Sequence, residues 1–298
     1  MKTLLSPARM QWMLRRLANE TVVSLLLLLT LLTLLSSCRK DDDETPDPIP
    51  ASRRVDVGGY GLQTRLEGTA KPTVVFLSGL GEPLATWEKV QPSVAAFSRT
   101  LAYDRGGIGA SDPVTGSRTS LDVARELHQL LTRAQLPPPY VLVAHSQAGL
   151  HTRVFAREYP GKVAGLVLVD VMHPEEIEAM KAAFAAGGVT AEQALRQVAD
   201  AEGMKGALRE EFLATVQNAD QLGATPLPQV PLAVLSATLP DENETAEARQ
   251  TRIALNERLA AQVLAGRHIL ATGSKHHVQW DQPQLVTEAI RQVVASIR

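Results

Sequence analysis

Six short runs of unbroken apolar residues set the strongest limit on what this chain can fold into. They are "TVVFLSG" from Thr73, "TLAYDRGG" from Thr100, "YVLVAHS" from Tyr140, "AGLVLVD" from Ala164, "PLAVLSA" from Pro231 and "RHILATG" from Arg267. A strand with one wet face alternates apolar and polar residues. A short run without alternation suits a strand covered on both faces, which is the condition of a parallel sheet. Helical patterns lie between the runs, among them "SLDVARELHQLLTRAQL" from Ser120, "QAGLHTRVFAREYP" from Gln147 and "PQLVTEAIRQVVASI" near the end. Repeating strand–helix units of this kind predict an α/β fold with a doubly wound, mostly parallel sheet. Ahead of them, "RRVDV" and "YGLQTRLEG" do alternate and flank Gly58 and Gly59, so they predict an antiparallel hairpin at a sheet edge. One interval breaks the rhythm. Residues 174–229 hold alanine-rich helical stretches and no strong strand, which predicts a helical cap insert over the carboxyl edge of the sheet.

The amino-terminal end carries a different message. Lys2, Arg9, Arg15 and Arg16 precede an apolar run from Val22 to Leu35, and "SSC" follows. A basic stretch, a short apolar stretch and small residues make an export signal, too short for a comfortable membrane span. "LSSC" resembles a bacterial lipoprotein signal. That resemblance implies cleavage after residue 37, lipidation of Cys38 and attachment to a cell-envelope membrane, facing the periplasm or the exterior. Residues 39–53 are charged and proline-bearing, and they cannot bury enough apolar surface to offset ordering. They predict a flexible tether, with the folded part spanning 54–298. The net charge of −2 and the lack of a basic stripe give no footprint for nucleic acid. Oligomeric state is not legible.

"YVLVAHSQAGL" runs from a buried strand straight into Ser146 and on into a helix pattern. A hydroxyl at the tip of such a sharp turn sits in strained backbone, and the positions two away must be small. They are Ala144 and Ala148, with Gly149 next. "TVVFLSGLGEPLATW", "LAYDRGGIGASD", "YVLVAHSQAGLHTRVFAREYPGKVAGLVLVD" and "GSKHHVQWDQPQLVTEAI" together resemble the successive blocks of the α/β-hydrolase fold family, over about residues 55–298.

The resemblance implies roles. A serine hydroxyl needs a base within hydrogen-bond reach, and the family order is serine, acid, histidine. His276 matches the family's terminal histidine, with His277 as second choice. The acid is either Asp170, at the end of "AGLVLVD", or Asp241, after "PLAVLSA"; Asp170 is preferred. Backbone N–H groups of Leu80 and Gln147 are the implied oxyanion donors. Asp104 and Arg105 match a structural turn. His173 either lines the pocket or caps a loop, and His145 fills the elbow. Trp87 and Met172, with leucines around Leu80, are expected to shape an apolar acyl pocket. The implied activity is hydrolysis of a small-molecule carboxylic ester, or of an amide or lactone, through an acyl-enzyme, with no cofactor and no metal. The rivals are an acyltransferase on the same residues and a tethered binding protein without activity.

Overall fold

The computed structural model describes residues 52–222, 225–242 and 244–297. The expected signal, Cys38 and the tether up to residue 51 lie outside these. The first strand begins at Ser52, two residues before the expected start of the folded part.

Eight strands form one sheet in the order β1-β2-β4-β3-β5-β6-β7-β8. They are β1 (Ser52–Asp56), β2 (Gly61–Glu67), β3 (Thr73–Leu77), β4 (Arg99–Tyr103), β5 (Tyr140–His145), β6 (Val163–Val169), β7 (Leu232–Ala237) and β8 (Arg267–Ala271). The first two pair antiparallel, and β2 joins the sheet antiparallel to β4. Every pairing from β3 to β8 is parallel. This is the division the sequence predicts between alternating and unbroken runs. In β3 and β5 all residues are buried, because helices cover both faces.

Strand alternation sends successive side chains to opposite faces, so the sheet supports two apolar cores. Val75, Leu77, Leu142 and Ala144 point to one face, with α2 (Ser120–Arg133), α3 (Ala148–Glu158) and the cap. Val74, Phe76, Val141 and Val143 point to the other, with α1 (Gln91–Ala95) and the last long helix. The cap between β6 and β7 is four helices, α4 (Pro174–Ala186), α5 (Ala191–Ala201), α6 (Gly206–Leu213) and α7 (Thr215–Leu222). Then come α8 (Ala246–Ala260), α9 (Val278–Asp281) and α10 (Pro283–Ala295). Side-chain caps fix several starts. Thr119 with Asp122, His173 with Glu176 and Thr190 with Gln193 form reciprocal capping boxes at α2, α4 and α5. His173 thus takes the capping role of its two expected ones. Among the described residues no helix is long and apolar enough to cross a membrane.

Candidate active site

The carboxyl ends of β5 and β6 carry the two non-glycine residues that leave their strands at positive φ. Ser146 follows β5 at φ 53° and Asp170 follows β6 at φ 44°. A left-handed backbone is costly for residues with a Cβ, so such positions persist only where the surroundings hold them. Here the corner is held by main-chain bonds: Ser146 N–H donates to Val169 O at 3.2 Å, and Met172 N–H donates to Ser146 O at 3.1 Å. Asp170 N–H donates to Leu235 O at 2.8 Å.

His276, on the loop after β8, closes the group. Its Nε2 lies 2.9 Å from Ser146 Oγ and its Nδ1 lies 2.6 Å from Asp170 Oδ2. An ionised carboxylate only accepts, so Nδ1 carries the proton and Nε2 is left to accept from the hydroxyl. Both ring nitrogens are thereby engaged, and no position remains for Asp241. That residue sits after β7, where its N–H faces Glu244 at 3.4 Å. The structure thus brings Ser146, His276 and Asp170 together and leaves Asp241 apart.

Asp170 is fully buried. Burial alone would raise its pKa. The hydrogen bond and charge of His276, with Arg252 and Arg249, outweigh it and hold the carboxyl well below the usual range. Arg249 Nη1 lies 2.8 Å from both carboxylate oxygens, and Ala237 N–H donates to Oδ1 at 3.1 Å. Arg249 and Arg252 escaped the sequence reading. They arrive from α8, whose buried face carries Arg249 and Asn256 beside Leu255 and Leu259, so apolar periodicity does not mark it. The imidazole of His276 is pushed down, first by burial and then by the charge of His145, against the pull of Asp170.

Leu80 lies on the loop after β3, and Gln147 follows Ser146 at the start of α3. Among the described residues neither backbone N–H is paired with a protein acceptor. Ser146 keeps 7% of its surface open and His276 keeps 8%, so the group is largely covered.

A model of the alpha/beta hydrolase fold matches residues 72–220. The chain belongs to the alpha/beta hydrolase fold family. YqjL, an uncharacterized protein of Bacillus subtilis, is 33% identical over 104 residues, 35% of this chain and 41% of that one. The chain spans less than half the length of the curated relatives it matches first. An esterase from Thermogutta terrifontis superposes with a TM-score of 0.62 at 20% identity, covering 83% of this chain and 99% of that one. An epoxide hydrolase from Vigna radiata gives 0.65 at 15%, covering 82% and 98%. At these identities the likeness is one of fold.

Within this hydrolase fold two expectations about the surroundings part ways. Met172 is half-buried, its N–H donates to Ser146 O, and its side chain packs against the cap-side core. Trp87 does not line the pocket. It is fully buried on the opposite face of the sheet, its ring 5.0 Å from Phe76. Phe76 and Leu77 are neighbours in β3 and point to opposite faces, so a residue that packs on Phe76 lies behind the sheet. Leu208 of α6, unmarked in the sequence reading, comes down instead onto the loop at Gly81, where an added Cβ would lie 2.8 Å from its Cδ1.

The tight spot of the elbow is Gly149 and not the two alanines. A Cβ there would stand 2.6 Å from Val171 Cβ. Gly149→Ala is expected to cost about 1–3 kcal/mol through overpacking, read as a lower urea midpoint. An unchanged midpoint would mean that Val171 moves aside freely.

Behind His276 stands a second polar group. Glu82 Oε2 is 3.0 Å from His145 Nδ1, and Glu82 Oε1 is 2.8 Å from His277 Nε2. Among the described residues, these are the three whose metal-ligand-type atoms converge, all within 4.8 Å. Each imidazole faces its own carboxylate oxygen at hydrogen-bond length, so the facing nitrogens carry protons. His277, second choice as base, is committed to Glu82 and stacks on Trp280 at 4.0 Å. At these lengths each contact is a hydrogen bond from an imidazole N–H to the carboxylate.

Proposed function

We propose that the chain is a serine hydrolase that cleaves carboxylic esters through an acyl-enzyme. The observation that carries this reading is the run of two hydrogen bonds from Ser146 Oγ through His276 to Asp170 at the carboxyl edge of the sheet. In the proposed cycle Ser146 Oγ attacks the substrate carbonyl as its proton passes to His276 Nε2. Asp170 accepts from Nδ1 and steadies the imidazolium. The N–H groups of Leu80 and Gln147 receive the oxyanion, each worth about 3 kcal/mol in such sites. His276 then gives its proton to the leaving alcohol. Water, deprotonated by the same ring, releases the acid and restores Ser146.

The low exposure of Ser146 and His276 and the apolar residues Leu80, Met172 and Leu208 favour small, apolar acyl groups. Ester cleavage is favoured over amide cleavage on chemical grounds, because an alkoxide leaves more readily than an amine. Export and a lipid anchor at Cys38 belong to this proposal; acylation lost in Cys38→Ala would support the anchor.

A fluorophosphonate probe tests the reading. Wild-type protein should be labelled on Ser146, and Ser146→Ala should give no labelling and no turnover of short-chain esters. Equal labelling of the two proteins would sink it. A panel of esters of graded acyl length should show the highest kcat/KM at the short end.

A further inference from the structure

His145 occupies the position before Ser146 and is fully buried, yet both its ring nitrogens face acceptors. Nδ1 lies 3.0 Å from Glu82 Oε2, and Nε2 lies 3.1 Å from the carbonyl oxygen of His276. A carbonyl can only accept, and so can a carboxylate. A neutral imidazole has one N–H and would leave one contact without a proton. Only the doubly protonated, cationic ring satisfies both. Glu82 supplies the counter-charge and is itself fully used. Its Oε2 also accepts from Gly79 N–H at 2.8 Å, and its Oε1 accepts from His277. The ring of His145 is 4.5 Å from that of His276.

We propose that Glu82 and His145 form a buried ion pair that acts on the base: it is a fixed positive charge behind His276 that keeps the ring neutral and ready to accept a proton in acid solution. The pair also ties the loop that carries Leu80, through Gly79, to the loop that carries His276. Glu82 and His145 are therefore positioning residues. This deepens the proposed reaction and rests on His276 as its base.

The groups facing His276 are Ser146, Asp170, His145, His277 and Arg252. Asp170 favours the imidazolium. His145 and Arg252 oppose it, and His145 is in ring contact. For His145 itself, burial alone would remove the charge. The charge and hydrogen bond of Glu82, the charge of Asp170 and the bond to the His276 carbonyl reverse this and raise its pKa. With the two ring centroids 4.5 Å apart, a charge on His145 strongly disfavours a second charge on His276. Glu82 cancels part of this from the far side of His145, leaving an expected shift of about one pH unit in the base.

The test is a titration of the histidine rings by nitrogen-detected NMR, without substrate, on wild type, Glu82→Gln and His145→Gln. Both substitutions keep a side chain that can donate or accept a hydrogen bond while removing the charge. In wild type His145 should keep two ring protons above the ordinary imidazole range, and His276 should stay neutral to well below pH 6. In both variants the midpoint of His276 should rise by about one unit, and the acid limb of kcat/KM should rise with it. Little should change at pH 8. A singly protonated His145 in wild type would overturn the proposal. So would an unmoved His276 midpoint with activity lost equally at every pH, which is what a purely structural role gives. One divalent ion per chain in the purified protein, lost in Glu82→Gln, would also overturn it. The NMR readout needs no turnover, so a failed fluorophosphonate reaction would remove the proposed function while this titration still gave its answer.

Discussion

Asp170→Asn is expected to lower kcat by about 10,000-fold, while Asp241→Asn stays within a few-fold of wild type. An asparagine at 170 can offer an N–H where His276 Nδ1–H now donates. The ring then prefers the other tautomer, with its proton on Nε2, and can no longer accept from Ser146 Oγ. The same change removes the anion that steadies the imidazolium. It has a second cost, because Arg249 is buried and loses one of its two carboxylates, Glu244 remaining. Breaking a buried pair costs about 3–5 kcal/mol, and the surviving partner argues for the lower end. Activity should therefore be measured on protein shown by circular dichroism to be folded, and at a temperature below the variant's melting point. Equal activity in the two asparagine variants would remove Asp170 from the mechanism.

Glu211→Gln is expected to destabilise the fold by about 3–5 kcal/mol. Glu211 lies on the cap helix α6 with no exposed surface. It takes Arg105 Nε and Nη2 at 2.9 Å each, with Arg118 at 3.6 Å. Arg105 also donates to the carbonyls of Ser78 and Gly79 at 2.6 Å each. One guanidinium thus fastens the cap to the loop that leads to Leu80. A neutral amide leaves two buried cations with only Glu126 to share, and Glu126 is already bidentate with Arg118. For a domain of this size the loss corresponds to about 6–20 °C in Tm. A drop under about 2 °C would show that the network relaxes around the change. Burial alone would raise the Glu211 pKa, but Arg105 outweighs it and the carboxyl titrates below its ordinary 4.5. The unfolded chain therefore binds this proton first as pH falls. The stabilisation is full above about pH 4.5 and is lost as pH falls through the lowered value.

The elements differ in how far the sequence exposed them. The six runs became the six parallel strands; β3 to β7 are covered on both faces, whereas β8, at the sheet edge, leaves Arg267 and Leu270 exposed. The hairpin followed from alternation alone. Ser146 was legible because a strand that ends in a small-residue turn before a helix is a local pattern. His276 came from resemblance and not from spacing, since it lies 130 residues further along the chain. The acid stayed open between Asp170 and Asp241 for a physical reason. Both follow strands next to one another in the sheet, and nothing local records which strand end meets the loop after β8. His145 carried no signal beyond its place in the elbow, and Glu82 none beyond its place in a glycine-rich loop.

Trp87 shows the limit from the other side. Its loop leads from β3 toward the site, and an aromatic there suited an acyl pocket. Which face of the sheet it packs on depends on whether Phe76 or Leu77 receives it, and nothing local records that. The chain by itself determined the strands, their direction, the inserted helices and the hydroxyl at the strand-to-helix corner, because these depend on patterns within a few residues. Tertiary structure alone decided which carboxylate meets His276, which charges surround it and where Trp87 lies. Those are contacts between segments tens to hundreds of residues apart, set by how two faces of one sheet are filled.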